Sequence, residues 1–222
     1  MMDQLDIRIG EVLEKLKEKG IDDNTLIIFA SDNGGVSMRQ NGLPGPGYNG
    51  GLRDGKWSAF EGGIRVPFII SWPAVYPVGK TITHSVSFLD ITPTLLRAAG
   101  YSGDSVKNLK FDGVDLHPWL TGKQNGPVHD ILFWRYISDM NYDSGTIKYA
   151  VLKGNLKYNY LRAPGMPGVE YLFDLSKNRG EDSAQCLTGN PDYAKDLVAI
   201  KLALNKWEAA MMPLPAETPG RD

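Results

Sequence analysis

Residues 25–35 read TLIIFASDNGG, and this stretch decides the fold class. Its first part, Thr25–Ala30, is almost wholly apolar, which is typical of a strand buried on both faces of a parallel sheet. Before it, apolar side chains recur at helical spacing over residues 5–16, and Gly20 suits the residue that ends a helix. A helix that leads into a buried strand through a short loop is half of a β-α-β unit, so we expect an α/β fold.

The chain that follows this strand reads mostly as loop from residue 31 to residue 63. A loop this long inside a compact domain usually carries function. Val66–Trp72 then predicts a second buried strand, and residues 89–99 predict a helix that ends at Gly100. We therefore expect residues 1–122 to form an incomplete mixed, mainly parallel sheet with flanking helices. The strand that should precede the first helix is missing from these residues, which predicts a truncated catalytic domain.

The pattern changes after Gly122, where short apolar runs alternate with turn residues. Gly154-Asn155 is typical of a hairpin turn between two of these runs. Asn190-Pro191 is an N-cap followed by proline, and it begins a last helix with apolar side chains at helical spacing. Residues 123–222 therefore predict a small antiparallel sheet with one packed helix. The strand candidates are residues 131–136, 148–153, 156–161 and 170–175.

Composition excludes several classes of protein. Hydrophobic residues make up 42% and charged residues 23% of the 222 residues, which is ordinary for a globular chain and argues against wholesale disorder. The net charge of -2 gives no basic surface for nucleic acid or for an anionic membrane, so we expect neither partner. No apolar run is long enough to span a bilayer, and the single cysteine, Cys186, excludes an intrachain disulfide.

Asp32 and Asn33 come directly after the predicted strand, at the edge where open α/β sheets bind ligands. A carboxylate and an amide oxygen side by side offer two hard ligands that suit Ca²⁺, and Mg²⁺ can use them too. A plain Asp-Asn-Gly turn explains these residues equally well. Lys56 lies between two long-loop neighbours, Gly55 and Trp57, where it could hold an oxyanion or simply face solvent.

Four segments together resemble the sulfatases of the alkaline-phosphatase superfamily, in the order that the family shows. They are TLIIFASDNGG, LRDGKWSAFEGGIRVPFIISWP, SFLDITPTLLRAAG and EYLFDLSKNRGED, beginning at residues 25, 52, 87 and 170. The stretch from Gly55 to Pro67 is the most specific. The resemblance covers most of the chain and implies that it is the C-terminal portion of an arylsulfatase-like enzyme.

The resemblance implies roles for residues that match the family motifs. Asp32 and Asn33 match a pair of metal ligands, usually for Ca²⁺, and Lys56 matches the lysine that contacts the sulfate group. The family's nucleophile is a formylglycine made in a C/S-x-P-x-R motif, and these 222 residues contain no such motif, since Cys186 is followed by Leu-Thr-Gly. We therefore expect half of a Ca²⁺ site and no turnover by these residues alone.

Other loop residues are candidates for substrate contacts, and Glu61 and Arg65 are candidates for a structural pair four positions apart. We expect the loop from Gly34 to Gly55 to line the substrate mouth. The substrate-contact candidates are Arg39, Asn41, Tyr48, Asn49 and Trp57.

Three functions stay open at this point. The first is a sulfatase, whose substrate would be a sulfated small molecule or carbohydrate. The second is a phosphate or phosphonate ester hydrolase of the same superfamily, and the third is a non-catalytic binding protein or remnant. A truncated domain predicts self-association or an N-terminal half supplied in trans. The family implies a periplasmic, extracellular or lysosome-like location, with any signal peptide upstream.

Overall fold

The computed structural model describes residues 2–37, 45, 47–101, 109–137 and 146–211. These residues form two compact units, one of residues 1–30 and 67–129 and the other of residues 31–66 and 130–222. The helices are α1 (Met2–Glu18), α2 (Glu61–Ile64), α3 (Ile91–Ala98), α4 (His117–Leu120) and α5 (Ala194–Ala210). The strands are β1 (Ile27–Ala30), β2 (Phe68–Ser71), β3 (Leu132–Ile137), β4 (Ile147–Lys153), β5 (Leu156–Arg162) and β6 (Val169–Asp174).

The first unit contains α1, β1, β2, α3 and α4. The α/β class is confirmed, and so are helix α1 and its end, where Gly20 has a φ of 63°. The mainly parallel sheet is not confirmed, because β1 and β2 pair antiparallel, with Ile28 opposite Ile70. Every strand pairing among the described residues is antiparallel. An apolar run signals burial and says nothing of strand direction, which is why the sequence could not settle this point.

Apolar side chains of the first unit are more exposed than the sequence predicts. Strand β1 was expected to be buried on both faces, but Phe29 is 37% exposed and Ile69 on β2 is 58% exposed. Helix α1 contains no buried residue. The apolar run predicts a strand correctly, but its side chains are not enclosed by the residues that the structure describes.

Asp90 organises the polar interior of the first unit. Its carboxylate is fully buried, accepts hydrogen bonds from the backbone N–H groups of Ser87 and Val114, and lies 2.9 Å from Nε2 of His129. Ser87 caps the short 3₁₀-helix that leads into α3. His129 therefore has a structural partner in the buried Asp90 carboxylate.

The second unit is built on the four-stranded meander β3-β4-β5-β6. The predicted hairpin is confirmed, since β4 and β5 pair antiparallel around Gly154-Asn155 and Gly154 has a φ of 59°. The predicted helix on this sheet is also confirmed. Ile200 and Leu204 of α5 are buried against the sheet core, and Trp207 stacks on Phe133 with ring centroids 5.1 Å apart.

The loop of residues 31–66 belongs to this second unit together with α2. The division of the whole protein at residues 122 and 123 stays a prediction. Within the described residues, no helix has the length and hydropathy needed to cross a membrane.

Candidate active site

The turn that carries Asp32 and Asn33 is built from local hydrogen bonds. The Ser31 hydroxyl donates to the Asn33 carbonyl at 2.8 Å, and the Asn33 backbone N–H donates to Asp32 Oδ1 at 2.9 Å. The Asn33 side-chain amide donates to the Gly34 carbonyl at 2.9 Å. The exposed Asp32 carboxylate and the Asn33 amide oxygen therefore lie on one short, hydrogen-bonded turn.

Glycine allows this turn to lie directly against the loop that carries Lys56. The Gly34 N–H donates to the Gly63 carbonyl at 3.0 Å, and a Cβ on Gly34 would lie 1.7 Å from the Gly62 carbonyl oxygen. A Cβ on Gly55 would lie 2.0 Å from the Gly35 carbonyl oxygen. Two backbone segments can approach this closely only where side chains are absent.

Lys56 is held beside the turn by its own backbone. Its N–H donates to the Gly35 carbonyl at 3.1 Å, and its ammonium nitrogen lies 5.5 Å from the centroid of the Trp57 ring. The structure thus places the three principal site residues, Asp32, Asn33 and Lys56, on two adjoining segments of one unit. Their roles in binding stay predictions.

The backbone on both sides of Lys56 adopts left-handed conformations that side chains disfavour. Asp54 has a φ of 56° and Trp57 a φ of 71°. The Ser58 hydroxyl donates to Asp54 Oδ2 at 3.0 Å, and no ion pair joins Asp54 to Lys56 in the described residues. Residues in such conformations persist only where the surrounding structure holds them, at a cost of about 1–3 kcal/mol each.

Asn49 bridges the two segments. Its amide oxygen accepts from the Gly35 N–H at 2.8 Å, and its amide nitrogen donates to the carbonyls of Gly35 and Asp54 at 3.0 and 2.8 Å. These bonds give it a structural use, and its contact with substrate stays a prediction. Tyr48 is 88% exposed, whereas Trp57 is half-buried and its carbonyl accepts from the Lys148 ammonium at 3.0 Å. Arg39 and Asn41 lie outside the described residues.

A buried charged cluster lies where α2 meets the sheet, and sequence reasoning missed it. Lys157 of β5 has a fully buried side chain, with its ammonium 2.8 Å from Glu61 Oε1 and 3.2 Å from Glu181 Oε1. The Glu181 carboxylate also accepts from the Glu61 N–H and from the Asn159 amide. The predicted pair of Glu61 and Arg65 is confirmed at 3.1 Å. We call Glu61, Lys157 and Glu181 the buried triad.

Arg53 extends this cluster toward the start of the Lys56 loop. Its guanidinium lies 3.8 Å from the centroid of the Phe60 ring and 4.8 Å from that of Tyr171. It donates to the Glu181 carbonyl at 3.0 Å and to the Ser183 hydroxyl at 2.9 Å. This role of Arg53 could not be predicted from the sequence, since the nearest of its polar partners is 128 residues away along the chain.

The triad has an asymmetric charge balance. Burial raises the pKa of the Glu181 carboxyl above its ordinary value, and the Lys157 ammonium opposes that rise without cancelling it. Burial therefore disfavours the ionised form of Glu181. Its backbone φ of 52° is also unfavourable, so this position combines electrostatic and conformational strain.

Asp32 and Asn33 are the metal ligands that the sequence predicts, and their role in binding a metal stays a prediction. No group of three or more His, Cys, Asp or Glu side chains comes together in the part of the chain that the structure describes. Calcium takes 6–8 oxygen ligands in proteins. The carboxylate of Asp32 and the amide oxygen of Asn33 are oxygen donors of the kind that calcium binds, and two such residues are fewer than a complete site needs.

The chain is similar to known sulfatases in sequence and in fold. The Sulfatase family model matches residues 1–101. Arylsulfatase A of Bos taurus is 36% identical over 94% of this chain and 43% of its own length. One solved structure is that of a protein from Bacteroides thetaiotaomicron VPI-5482 described as a sulfatase. It superposes with a TM-score of 0.72 at 22% identity, over 93% of this chain and 40% of that one.

A second solved structure is a phosphonate monoester hydrolase of Agrobacterium radiobacter. It superposes with a TM-score of 0.67 at 25% identity, over 95% of this chain and 40% of that one. The chain spans between about a fifth and about two fifths of the length of the curated relatives that it matches. Family model, sequence relatives and fold agree, and the chain belongs to the sulfatase family.

Proposed function

We propose that this chain is the C-terminal part of a sulfatase that hydrolyses sulfate esters. In this proposal Lys56 contacts the sulfate group, and Asp32 and Asn33 are two ligands of a Ca²⁺ ion, which Mg²⁺ could replace. The observation that carries it is the hydrogen bond from the Lys56 N–H to the Gly35 carbonyl, at 3.1 Å, because it joins the lysine loop to the ligand turn.

The chemistry of these side chains suits a sulfate monoester. The Lys56 ammonium is a compact charge with three donors, which matches the oxygens of a tetrahedral anion. A bound divalent cation would polarise the ester and stabilise negative charge that develops on its oxygens. We expect the substrate to be a sulfated small molecule or carbohydrate.

We also propose that these 222 residues alone do not turn over substrate. They contain no C/S-x-P-x-R motif that could yield formylglycine, and Asp32 and Asn33 are only two metal ligands. A segment corresponding to the remainder of the longer relatives would supply the nucleophile and the other ligands, either in the same polypeptide or in trans. The exposed apolar groove between α1 and β1, which Val12, Leu13, Leu16 and Ile27–Phe29 line, suits contact with that segment.

The first test is the mass and activity of the native protein, isolated from its source with an antibody against this chain. A polypeptide well above 24.5 kDa that hydrolyses 4-nitrophenyl sulfate would support the proposal. A native chain of 24.5 kDa with no turnover, either alone or with co-purifying protein, would support a non-catalytic binding protein or remnant instead.

The second test removes the proposed sulfate contact in the full-length enzyme. Lys56→Ala should lower kcat/KM for 4-nitrophenyl sulfate by about 10²–10³-fold, because a positioned charge is lost from the transition state. Lys206→Ala, on the exposed face of α5, is the matched control and should leave kcat/KM unchanged. Equal activity of the two variants would refute the assignment of Lys56.

A phosphonate or phosphate monoester hydrolase is the second candidate, favoured by the likeness to the Agrobacterium radiobacter enzyme. A divalent cation and a lysine suit phosphoryl oxygens as well as sulfuryl oxygens. The kcat/KM values for matched 4-nitrophenyl sulfate, phosphate and phenylphosphonate esters decide between them. A higher value for either phosphorus ester would reassign the reaction.

A further inference from the structure

We infer that the buried triad of Glu61, Lys157 and Glu181 positions the loop that carries Lys56, so that the C-terminal sheet sets the geometry of the anion contact. This inference rests on the proposed role of Lys56. The three triad residues do not contact the substrate; each acts by holding the loop that carries Lys56.

Contacts from outside the loop are needed to hold it, because two of its residues have unfavourable backbone conformations. Asp54 and Trp57 flank Lys56 in left-handed conformations, at φ values of 56° and 71°. The bonds within the loop, from the Ser58 N–H to the Gly55 carbonyl and from the Ser58 hydroxyl to Asp54, close a tight turn. They do not fix where that turn lies relative to the sheet.

The sheet anchors the loop on both sides of Lys56. Before it, the Arg53 guanidinium stacks on Phe60 and Tyr171 and donates to the Glu181 carbonyl. After it, the Trp57 carbonyl accepts from Lys148 of β4. Residues 54–56 therefore lie between two points of attachment, Arg53 at the turn that carries Glu181 and Trp57 on the sheet.

The triad is the innermost of these anchors. Glu61 begins α2, and its backbone N–H donates to the Glu181 carboxylate while its own carboxylate accepts from Lys157 of β5. The Gly62 N–H then donates to the Arg53 carbonyl at 2.8 Å, which closes the loop on itself. A displacement of Glu61 would thus be passed to both ends of the segment that carries Lys56.

The composition of the triad favours a geometric role over a purely stabilising one. Buried ion pairs are seldom better for stability than apolar side chains of similar volume, because desolvation offsets their attraction. Their hydrogen bonds are directional, however, and two carboxylates around one ammonium allow few alternative arrangements. The side chains of Lys157 and Glu181 are 0% exposed and that of Glu61 is 4% exposed, so water cannot substitute for any of them.

The test is a double-variant cycle in the full-length enzyme. Glu61→Gln keeps the shape of the side chain and should lower kcat/KM for 4-nitrophenyl sulfate by about 10–100-fold, since small misplacements of a positioning group have effects of this size. The inhibition constant of inorganic sulfate should rise in parallel. The double variant Lys56→Ala/Glu61→Gln should have the same kcat/KM as Lys56→Ala alone, because Glu61 affects the reaction only through the position of Lys56.

Lys201→Met is the matched control. It removes the ion pair that Lys201 forms with Glu170 at 2.6 Å in the same unit, and both residues are far from the loop in the sequence. It should leave both constants unchanged. If Glu61→Gln does not fold, as judged by circular dichroism, Arg53→Gln provides the same cycle at a side chain that is only partly buried.

The outcomes separate this inference from the proposed function. Wild-type activity in Lys56→Ala would refute the sulfate contact and this inference with it. A loss in Lys56→Ala with wild-type constants in Glu61→Gln, or independent losses that multiply in the double variant, would overturn the positioning role alone.

Discussion

Replacing Lys157 by methionine should destabilise the unit formed by residues 31–66 and 130–222 by about 3–5 kcal/mol, the range for breaking a buried ion pair by removing one partner. The structure sets this magnitude. The lysine is fully buried between two carboxylates at 2.8 and 3.2 Å, and those carboxylates are themselves 4% and 0% exposed. Methionine fills the space of the lysine stem but leaves the carboxylates facing each other.

Two features keep the loss from being larger. Arg65 remains 3.1 Å from Glu61, although its side chain is 49% exposed and solvent weakens the pairing. The carboxyl of Glu181 can also take up a proton, since burial already raises its pKa. A buried acid that neutralises avoids most of the cost of an unpaired charge.

Urea unfolding at pH 7, followed by near-UV circular dichroism, measures the effect. At about 2–4 °C per kcal/mol for a chain of this size, the thermal midpoint should fall by roughly 6–20 °C. The variant should recover part of its stability at pH 5, because protonation removes the repulsion between the carboxylates. Combining Lys157→Met with Glu61→Gln and Glu181→Gln should restore most of the loss, since all three groups are then neutral.

Either of two results would contradict an unpaired buried charge as the cause of the instability. One is a loss in Lys157→Met smaller than about 1 kcal/mol, within the ordinary range for substitutions of minor effect. The other is a triple variant no more stable than the single one, because the damage would then come from packing and not from charge.

Three further predictions address stability. Folding raises the pKa of the Glu181 carboxyl above its ordinary value of 4.5. The ionisation of Glu181 therefore lowers the free energy of unfolding as the pH rises from near 4.5 through the higher pKa of the folded state. In urea unfolding from pH 4 to 8, the midpoint of Glu181→Gln should rise relative to that of the wild type. Gly34→Ala should lower the free energy of unfolding by about 1–3 kcal/mol, because its Cβ would clash with a carbonyl oxygen. Gly10→Ala in α1, which has open space around it, should raise the free energy of unfolding by about 0.5–1 kcal/mol. Similar effects of the two substitutions would contradict the close approach of the loops. Leu204→Ala should cost about 2–5 kcal/mol by leaving a cavity under α5, and Leu202→Ala, 69% exposed on the same helix, should fall within about 0.5 kcal/mol of wild type in the same assay.

Local patterns predicted local structure well. The turn at Gly154-Asn155, the start of the last helical segment at Asn190 and the pairing of Glu61 with Arg65 all depend on residues within a few positions of each other. In each case the residues that decide the structure are neighbours in the sequence.

Long-range contacts could not be predicted in this way. Lys157 meets Glu61 across 96 residues and Glu181 meets Glu61 across 120. A lysine among apolar neighbours in Leu156–Leu161 was the only available signal, and such a lysine more often faces solvent. The direction of β2 relative to β1 was also beyond the sequence, since both pairings present the same apolar side chains to their neighbours.

The discontinuous second unit has a consequence for synthesis on the ribosome. The Lys56 loop leaves the exit tunnel with residues 31–66, but Lys157 is made 96 residues after its partner Glu61. At a synthesis rate of about 5–20 residues per second, roughly 5–20 s pass between the synthesis of Glu61 and that of Lys157. During that interval two backbone positions that prefer other conformations have no sheet to hold them. The anion-binding loop is therefore expected to mature late in biogenesis, and premature termination anywhere before residue 181 would release a chain whose loop has never been shaped.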